Sequence, residues 1–244
     1  MRYILKISYD GSNYSGFQIQ KNKLTIQQVL ESAFEQVFRE RISIVSSGRT
    51  DAGVSAFCQV CHFDYNNDID VNRSKGYINS LLPDDIQVLC IDKTNDNFHA
   101  RFDCKKKTYE YYFYISKDNI PVYKNFATKI GYNLDIEKMI KCCKCFEGTH
   151  DFSAFCASNT EVVNKVRTIY AIKIIKIDEC LYKLTITGNG FLYNMVRIIM
   201  GTIVAVGNNK ISMDDVPDII KGKDRSRAGK TMPSVGLYLK NVEY

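Results

Sequence analysis

Across the first 92 residues the spacing of apolar side chains changes period four times, and that order restricts the fold more than any other feature of the chain. Tyr3 to Tyr9 alternates as a strand and runs into the turn Asp10-Gly11-Ser12-Asn13. Thr25 then caps a helix, with Gln28 three residues on completing a capping box. Its apolar stripe is Ile26, Val29, Leu30, Ala33, Phe34, Val37 and Phe38. Strands are expected at Ile42 to Ser46 and Ala56 to Tyr65, a helix at Val71 to Leu82 stopped by Pro83, and a strand at Ile86 to Asp92. The order β-α-β-β-α-β is ferredoxin-like.

The second half repeats the order loosely. A strand is expected from Lys107 to Ile115, and a helix from the N-cap Asp135 to Phe146, ended at Gly148. A hairpin follows, Lys165 to Ile177 and Leu181 to Gly188, then an apolar helix Phe191 to Val206, a short helix near Met213 to Lys221 and a strand Val235 to Val242. The fold class is therefore α+β, with two halves, residues 1–104 and 105–244, whose mainly antiparallel sheets join. No linker rich in Pro, Gly or Ser separates them, so they are expected to pack as one body.

Composition narrows the function. The longest apolar stretch, Phe191 to Val206, contains Arg197 and is short for a membrane span, and Met1 to Asp10 does not look like a secretory signal. Nine cysteines in such a chain read as reduced thiols of a cytoplasmic protein. Cys58 with Cys61 and Cys142 with Cys145 have zinc-type spacing, but residues three apart on a strand face opposite ways, and the second pair lies on an amphipathic helix, so no metal is expected. The net charge of +6 is mild, yet the positive residues cluster at Lys105, Lys106 and Lys107 and again from Lys221 to Lys230, where Arg225, Arg227 and Lys230 fall. Such clusters suit either a nucleic acid or solvated surface. Tyr109, Tyr111 and Phe113 follow the lysines on one strand face, a pairing that fits unstacked RNA bases or, equally, a packed core.

Two segments carry chemistry. Ser47-Gly48-Arg49-Thr50-Asp51-Ala52-Gly53-Val54 is a tight polar loop between strands, either a turn with an exposed Arg-Asp pair or a seat for a functional carboxylate. Arg197 is the one ionised residue of an otherwise apolar helix and needs a counter-charge. Asp51 can supply it, which would keep the carboxylate ionised; another acid or snorkelling to the surface serves as well.

With these residues in view, the chain resembles the TruA-type tRNA pseudouridine synthases. The loop 47–54 looks like their catalytic signature. The match continues through Tyr9 to Gln18, Thr25-Ile26-Gln27, Phe98-His99-Ala100-Arg101-Phe102, Lys107-Thr108-Tyr109, Gly148 to Phe152, Phe191 to Arg197 and Pro233 to Leu237, and so covers nearly the whole chain. The resemblance implies a pseudouridine synthase fold with a central RNA-binding cleft, and isomerisation of uridine to pseudouridine at positions 38, 39 and 40 of the tRNA anticodon arm. It makes Asp51 the nucleophile, Arg197 its ion-pair partner, Tyr109 a base contact that aids proton transfer, and Arg49 the residue holding the base out of the stack. It also implies a homodimer and no metal or organic cofactor. Ser55, where bacterial relatives more often have His, and Phe17, where Trp is common, depart from the pattern and bear on target position and RNA affinity. The competing readings are an RNA-binding protein without catalysis and a zinc-stabilised fold.

Overall fold

The computed structural model describes residues 1–157 and 162–244. They form two compact units, Met1–Lys105 with Tyr238–Tyr244, and Lys106–Leu237. The last strand, placed by chain order with the second half, thus groups with the first.

The first unit runs β1 (Arg2–Tyr9), α1 (Ile26–Phe38), β2 (Val45–Ser46), β3 (Ser55–Asp64), α2 (Val71–Leu81) and β4 (Ile86–Thr94). β1 is central, antiparallel to β3 on one side and β4 on the other, and β2 pairs antiparallel with β3. This is the ferredoxin-like arrangement that the period changes predict. Tyr3, Leu5 and Ile7 share a face with their partners Phe63, Cys61 and Gln59, and α1 lies over it, with Phe34 edge-on to Phe63 at 5.1 Å between ring centroids. Thr25 caps α1 by accepting from Gln28 N, and Asp70 caps α2 by accepting from Arg73 N.

One expected strand is mostly not a strand. Of Ile42 to Ser46 only Val45–Ser46 pairs, because α1 takes the hydrogen bonds that a neighbouring strand would have made. Glu31 Oε1 accepts from Ile44 N (2.9 Å) and Gln27 Nε2 donates to Ile44 O (3.1 Å), while Ile42 and Ile44 are buried.

The second unit contains β5 (Lys106–Ile115), β6 (Thr128–Ile130), α3 (Ile136–Cys143), β7 (Gly148–Asp151), β8 (Val166–Lys176), β9 (Leu181–Gly188), α4 (Met195–Gly207) and α5 (Val216–Gly222). β9 is antiparallel to both β5 and β8, β7 is antiparallel to β8, and β6 adds parallel to β5. β5 and β8, on either side of α3 in the chain, thus both pair with β9, as β1 and β2 on either side of α1 both pair with β3. α4 is buried along almost all of its length, as its composition requires. It begins at Met195 rather than at the expected Phe191, because Asn194 holds the left-handed conformation (φ 60°) at its N-cap. The final strand, β10 (Leu237–Glu243), runs parallel to β3 at Tyr238↔Ser55 and Leu239↔Ala56. The mixed, mainly antiparallel α+β architecture read from the sequence is present in both units.

Of the cysteine pairs, Cys61 and Cys142 are buried, while Cys58 and Cys145 are part-exposed. Burial pushes the thiols of Cys142 and Cys143 up, the latter to about 12, which keeps both protonated. No helix among the described residues is long and apolar enough to cross a membrane.

Candidate active site

In the first unit the loop around Asp51 is fixed from behind by the segment Tyr9 to Phe17. Phe17 N donates to Thr50 O (3.1 Å) and Gly53 N donates to Tyr14 O (3.2 Å). The hydroxyls of Tyr9 and Thr50 share a hydrogen bond at 2.8 Å. Val54 N donates to Asp51 O (3.1 Å), closing a turn that Gly53 completes at φ +74°. Upstream, Ser47 Oγ bonds Gln59 Oε1 (2.6 Å), and Gln59 Nε2 donates to Gly48 O (2.8 Å). Asp51 is left half-buried, and Arg49 is exposed beside it in the chain.

Two glycines permit this packing. A Cβ on Gly11 would stand 2.1 Å from Val54 O, and one on Gly16, at φ +93°, would stand 2.8 Å from Thr50 O. Only a residue without a side chain lets the two backbones approach so closely. The two departures from the family pattern sit in this same support. Ser55 Oγ accepts from Gly11 N (3.0 Å) and donates to Asp10 Oδ1 (3.3 Å), and the buried Phe17 ring tilts against Tyr9 at 6.2 Å. Sequence reasoning treated the opening motif as a signature only; its part in holding the Asp51 loop emerges from the backbone contacts.

In the second unit Arg197 sits on the first turn of α4, half-buried. Its Nε donates to Met232 O (2.6 Å) and its Nη1 to Asn194 Oδ1 (2.6 Å). Met232 N donates back to Arg197 O (3.2 Å), so the segment after Gly229 is clasped to the helix. The clasp is tight because both surfaces are bare: a Cβ on Gly201 would meet Lys230 O at 1.8 Å, and one on Gly229 would meet Thr202 N at 2.4 Å. Gly229 N also donates to Thr202 Oγ1 (2.8 Å). Asn194 was not singled out from the sequence. Its signal was there, since Asn is among the few residues that hold a left-handed turn readily.

Tyr109 lies half-buried on β5, with Phe191 edge-on to its ring at 5.2 Å. Tyr111 and Phe113, two and four residues on, are fully buried; the Tyr111 hydroxyl bonds Thr128 and donates to Pro233 O. Of the basic residues, Lys105 and Lys106 are exposed, Lys107 is half-buried, and Lys106 lies over the Tyr170 ring at 5.9 Å. The second cluster divides. Arg227 and Lys230 are exposed, but Arg225 is committed to the fold, donating to Gly229 O (3.0 Å) and Thr231 Oγ1 (3.1 Å). Lys223 pairs with Asp151 at 2.7 Å, and that bond, with those from Ser153, holds the Asp151 carboxyl below the usual carboxylate range.

Comparison with known proteins places this architecture. The family model described as tRNA pseudouridine synthase matches residues 6–103 and 142–244. A protein of Bacillus subtilis (strain 168) named tRNA pseudouridine synthase A is 46% identical over 246 residues, covering 100% of this chain and 99% of its own. One of the same name from Thermoanaerobacter sp. (strain X514) is 44% identical over 241 residues, covering 99% and 98%. Among solved structures, a chain of the archaeal box H/ACA sRNP Nop10-Cbf5 complex matches at a TM-score of 0.41 and 13% identity, over 96% of this chain and 61% of that one. The motifs that frame Asp51 and Arg197 both lie inside the matched residues, and the chain belongs to the tRNA pseudouridine synthase family.

Proposed function

We propose that this isomerase converts uridine to pseudouridine at positions 38, 39 and 40 of the tRNA anticodon arm, with Asp51 as its nucleophile. The observation that carries the reading is the built seat of Asp51: a half-buried carboxylate on a loop whose backbone is held by Phe17, Tyr14 and Gln59. A group that must meet one atom of a bound nucleotide gains from being held in place before the substrate arrives.

The reaction breaks the N1–C1′ bond of uridine and forms a C5–C1′ bond, so the base turns while detached, and the C5 proton leaves as the N1 position gains one. The net change is an isomerisation, and an ionised carboxylate suffices to hold the sugar during the turn. Arg197 keeps Asp51 ionised as its ion-pair partner; the bonds from its Nε and Nη1 to Met232 and Asn194 fix the direction of its guanidinium. Tyr109 contacts the target base and moves the proton, and Arg49 occupies the gap that the base leaves, offsetting part of the few kcal/mol that unstacking costs. Lys105, Lys106, Lys107, Arg225, Arg227 and Lys230 meet the phosphates, Arg225 from a turn in which it also bonds Gly229 O and Thr231 Oγ1. The enzyme works in the cytoplasm as a homodimer.

The test is direct. Unmodified tRNA with uridines in the anticodon arm is incubated with wild type and with Asp51→Ala, and pseudouridine is mapped by chemical modification and primer extension. Product from wild type alone, with tRNA binding kept in the variant, is the expected result. Binding without product from either protein turns the reading to an RNA-binding protein or to another target site.

A further inference from the structure

The motif Phe98 to Phe102 has no part in the site above, yet the first unit fixes it with unusual completeness. His99 N donates to Asp103 Oδ2 (2.7 Å), and Ala100 N donates to Nδ1 of the buried His62 (3.1 Å). Arg101 N and Phe102 N both donate to His99 Nδ1 (3.1 and 3.3 Å), and Asp103 N donates to His99 O (3.0 Å). From outside the loop, Tyr244 Oη donates to Ala100 O (2.7 Å) and Arg2 Nη1 donates to Phe98 O (2.8 Å). Every backbone N–H from His99 to Asp103 therefore has a partner, three of them on histidine rings.

What this frame holds out is a phenylalanine. Phe102 is 75% exposed, where burial contributes little to stability. One side of its ring is backed by the His99 imidazole at 4.2 Å and 32°, and the Arg101 guanidinium lies 5.9 Å from its centroid. The His62 ring stands 4.8 Å behind His99. Arg101 and Lys105 are exposed nearby in the chain, and the Asp103 carboxylate accepts from His99 N within its own loop. A rigid aromatic face flanked by cations suits an RNA: the ring takes an unpaired base and the guanidinium takes a phosphate. A preorganised ring also loses little entropy when it is covered.

We infer that Arg101 and Phe102 form a second RNA-contact platform, on which an unpaired nucleotide of the substrate tRNA stacks while Arg101 meets its backbone. The inference rests on the chain acting on tRNA, as proposed above. It concerns binding and leaves the chemical step to the Asp51 site.

The experiment measures the Kd for unmodified full-length tRNA by fluorescence anisotropy, the single-turnover rate at saturating tRNA, and the mass of the free protein by light scattering. Wild type, Phe102→Leu, Phe102→Tyr and Arg101→Gln are compared. Leu keeps apolar bulk but removes the ring, so Phe102→Leu is expected to raise Kd on the order of ten-fold. Phe102→Tyr should stay within about twofold, because it keeps the stacking face. Arg101→Gln should weaken binding and lower the slope of log K against log salt by about one. Saturated rates and masses should match wild type throughout. An unchanged Kd for Phe102→Leu overturns the platform, and so does a Kd change that comes with a lower mass, since the ring would then serve contact between copies of the chain. Because Kd is read without turnover, the platform is judged even if Asp51→Ala refutes the catalytic reading; wild type that binds no tRNA overturns both.

Discussion

Replacing Gly16 by alanine tests whether the opening motif positions the Asp51 loop. The new Cβ would lie 2.8 Å from Thr50 O, 3.2 Å from Ala52 N and 3.3 Å from Asp51 C, all backbone atoms that cannot rotate aside. Gly16 also sits at φ +93°, a conformation that costs an L-residue about 1–2 kcal/mol. Overpacking against a fixed neighbour adds about 1–3 kcal/mol, so the variant should lose about 2–5 kcal/mol. For a chain of this length that lowers Tm by roughly 4–20 °C. The relief available to the chain is to move residues 50–52 away, which stretches the bond from Phe17 N to Thr50 O. A displacement of Asp51 approaching 1 Å costs on the order of 100-fold in rate. The assay is single-turnover pseudouridine formation well below the variant's Tm, with tRNA Kd measured separately and expected to change by less than about threefold. Gly76→Ala is the control: nothing lies within 4 Å of its Cβ on α2, and it should gain about 0.5–1 kcal/mol at full activity. If Gly16→Ala lowers Tm but keeps a wild-type rate, the motif supports the fold without positioning Asp51 for the reaction.

Two further outcomes follow from buried polar groups. Burial first, then Arg2 and His99, push the His62 imidazole down to about 4, with Asp64 and Asp103 opposing. The unfolded chain therefore takes up a proton near pH 6.5 that the folded chain refuses, so stability is full above that pH and falls by up to about 3 kcal/mol as pH drops to 4. Urea melts at about pH 7.5 and 4.5 should show wild type losing more than His62→Gln; equal losses would refute the assignment. Lys183 bonds the buried Glu110 at 2.7 Å, and Lys183→Met should cost about 2–3 kcal/mol in a denaturant melt by leaving a buried carboxylate with less compensation. A variant as stable as wild type would show that the pair adds nothing.

The parts of the fold legible in the sequence were those with a local cause. α1 follows from its cap and its apolar stripe, α2 from the stop at Pro83, and β1, β3 and β4 from alternation interrupted by turn residues. β2 was misjudged because Glu31 and Gln27 compete for the backbone of Ile44, an interaction between residues 13 and 17 apart that no local pattern announces. The start of α4 was misjudged because its cap depends on Asn194 turning left-handed while its side chain binds Arg197 rather than the helix end. The same division holds for the candidate site. The residue types of the Asp51 loop were readable in order along the chain. Their support was not, because the closeness of Gly16 to Thr50 and of Gly201 to Lys230 is a matter of backbone approach across many residues. The charge of Arg225 was visible, but not that its guanidinium closes a turn.

The pairing of β10 with β3 has a consequence for how the chain is made. Ser55 and Ala56, at the foot of the Asp51 loop, receive their parallel neighbours Tyr238 and Leu239 only after Lys106–Leu237 has been synthesised. Until then the nascent first unit carries an open strand edge beside the Asp51 loop, a ready template for pairing with another chain. Domains emerge from the ribosome in order, but this one is sealed by residues from the far side of its successor, so its exposure lasts as long as translation of the intervening segment. A pause within that segment would lengthen the interval in which two nascent copies can join through β3, and losses during expression should respond to translation speed there more than to changes in the first hundred residues.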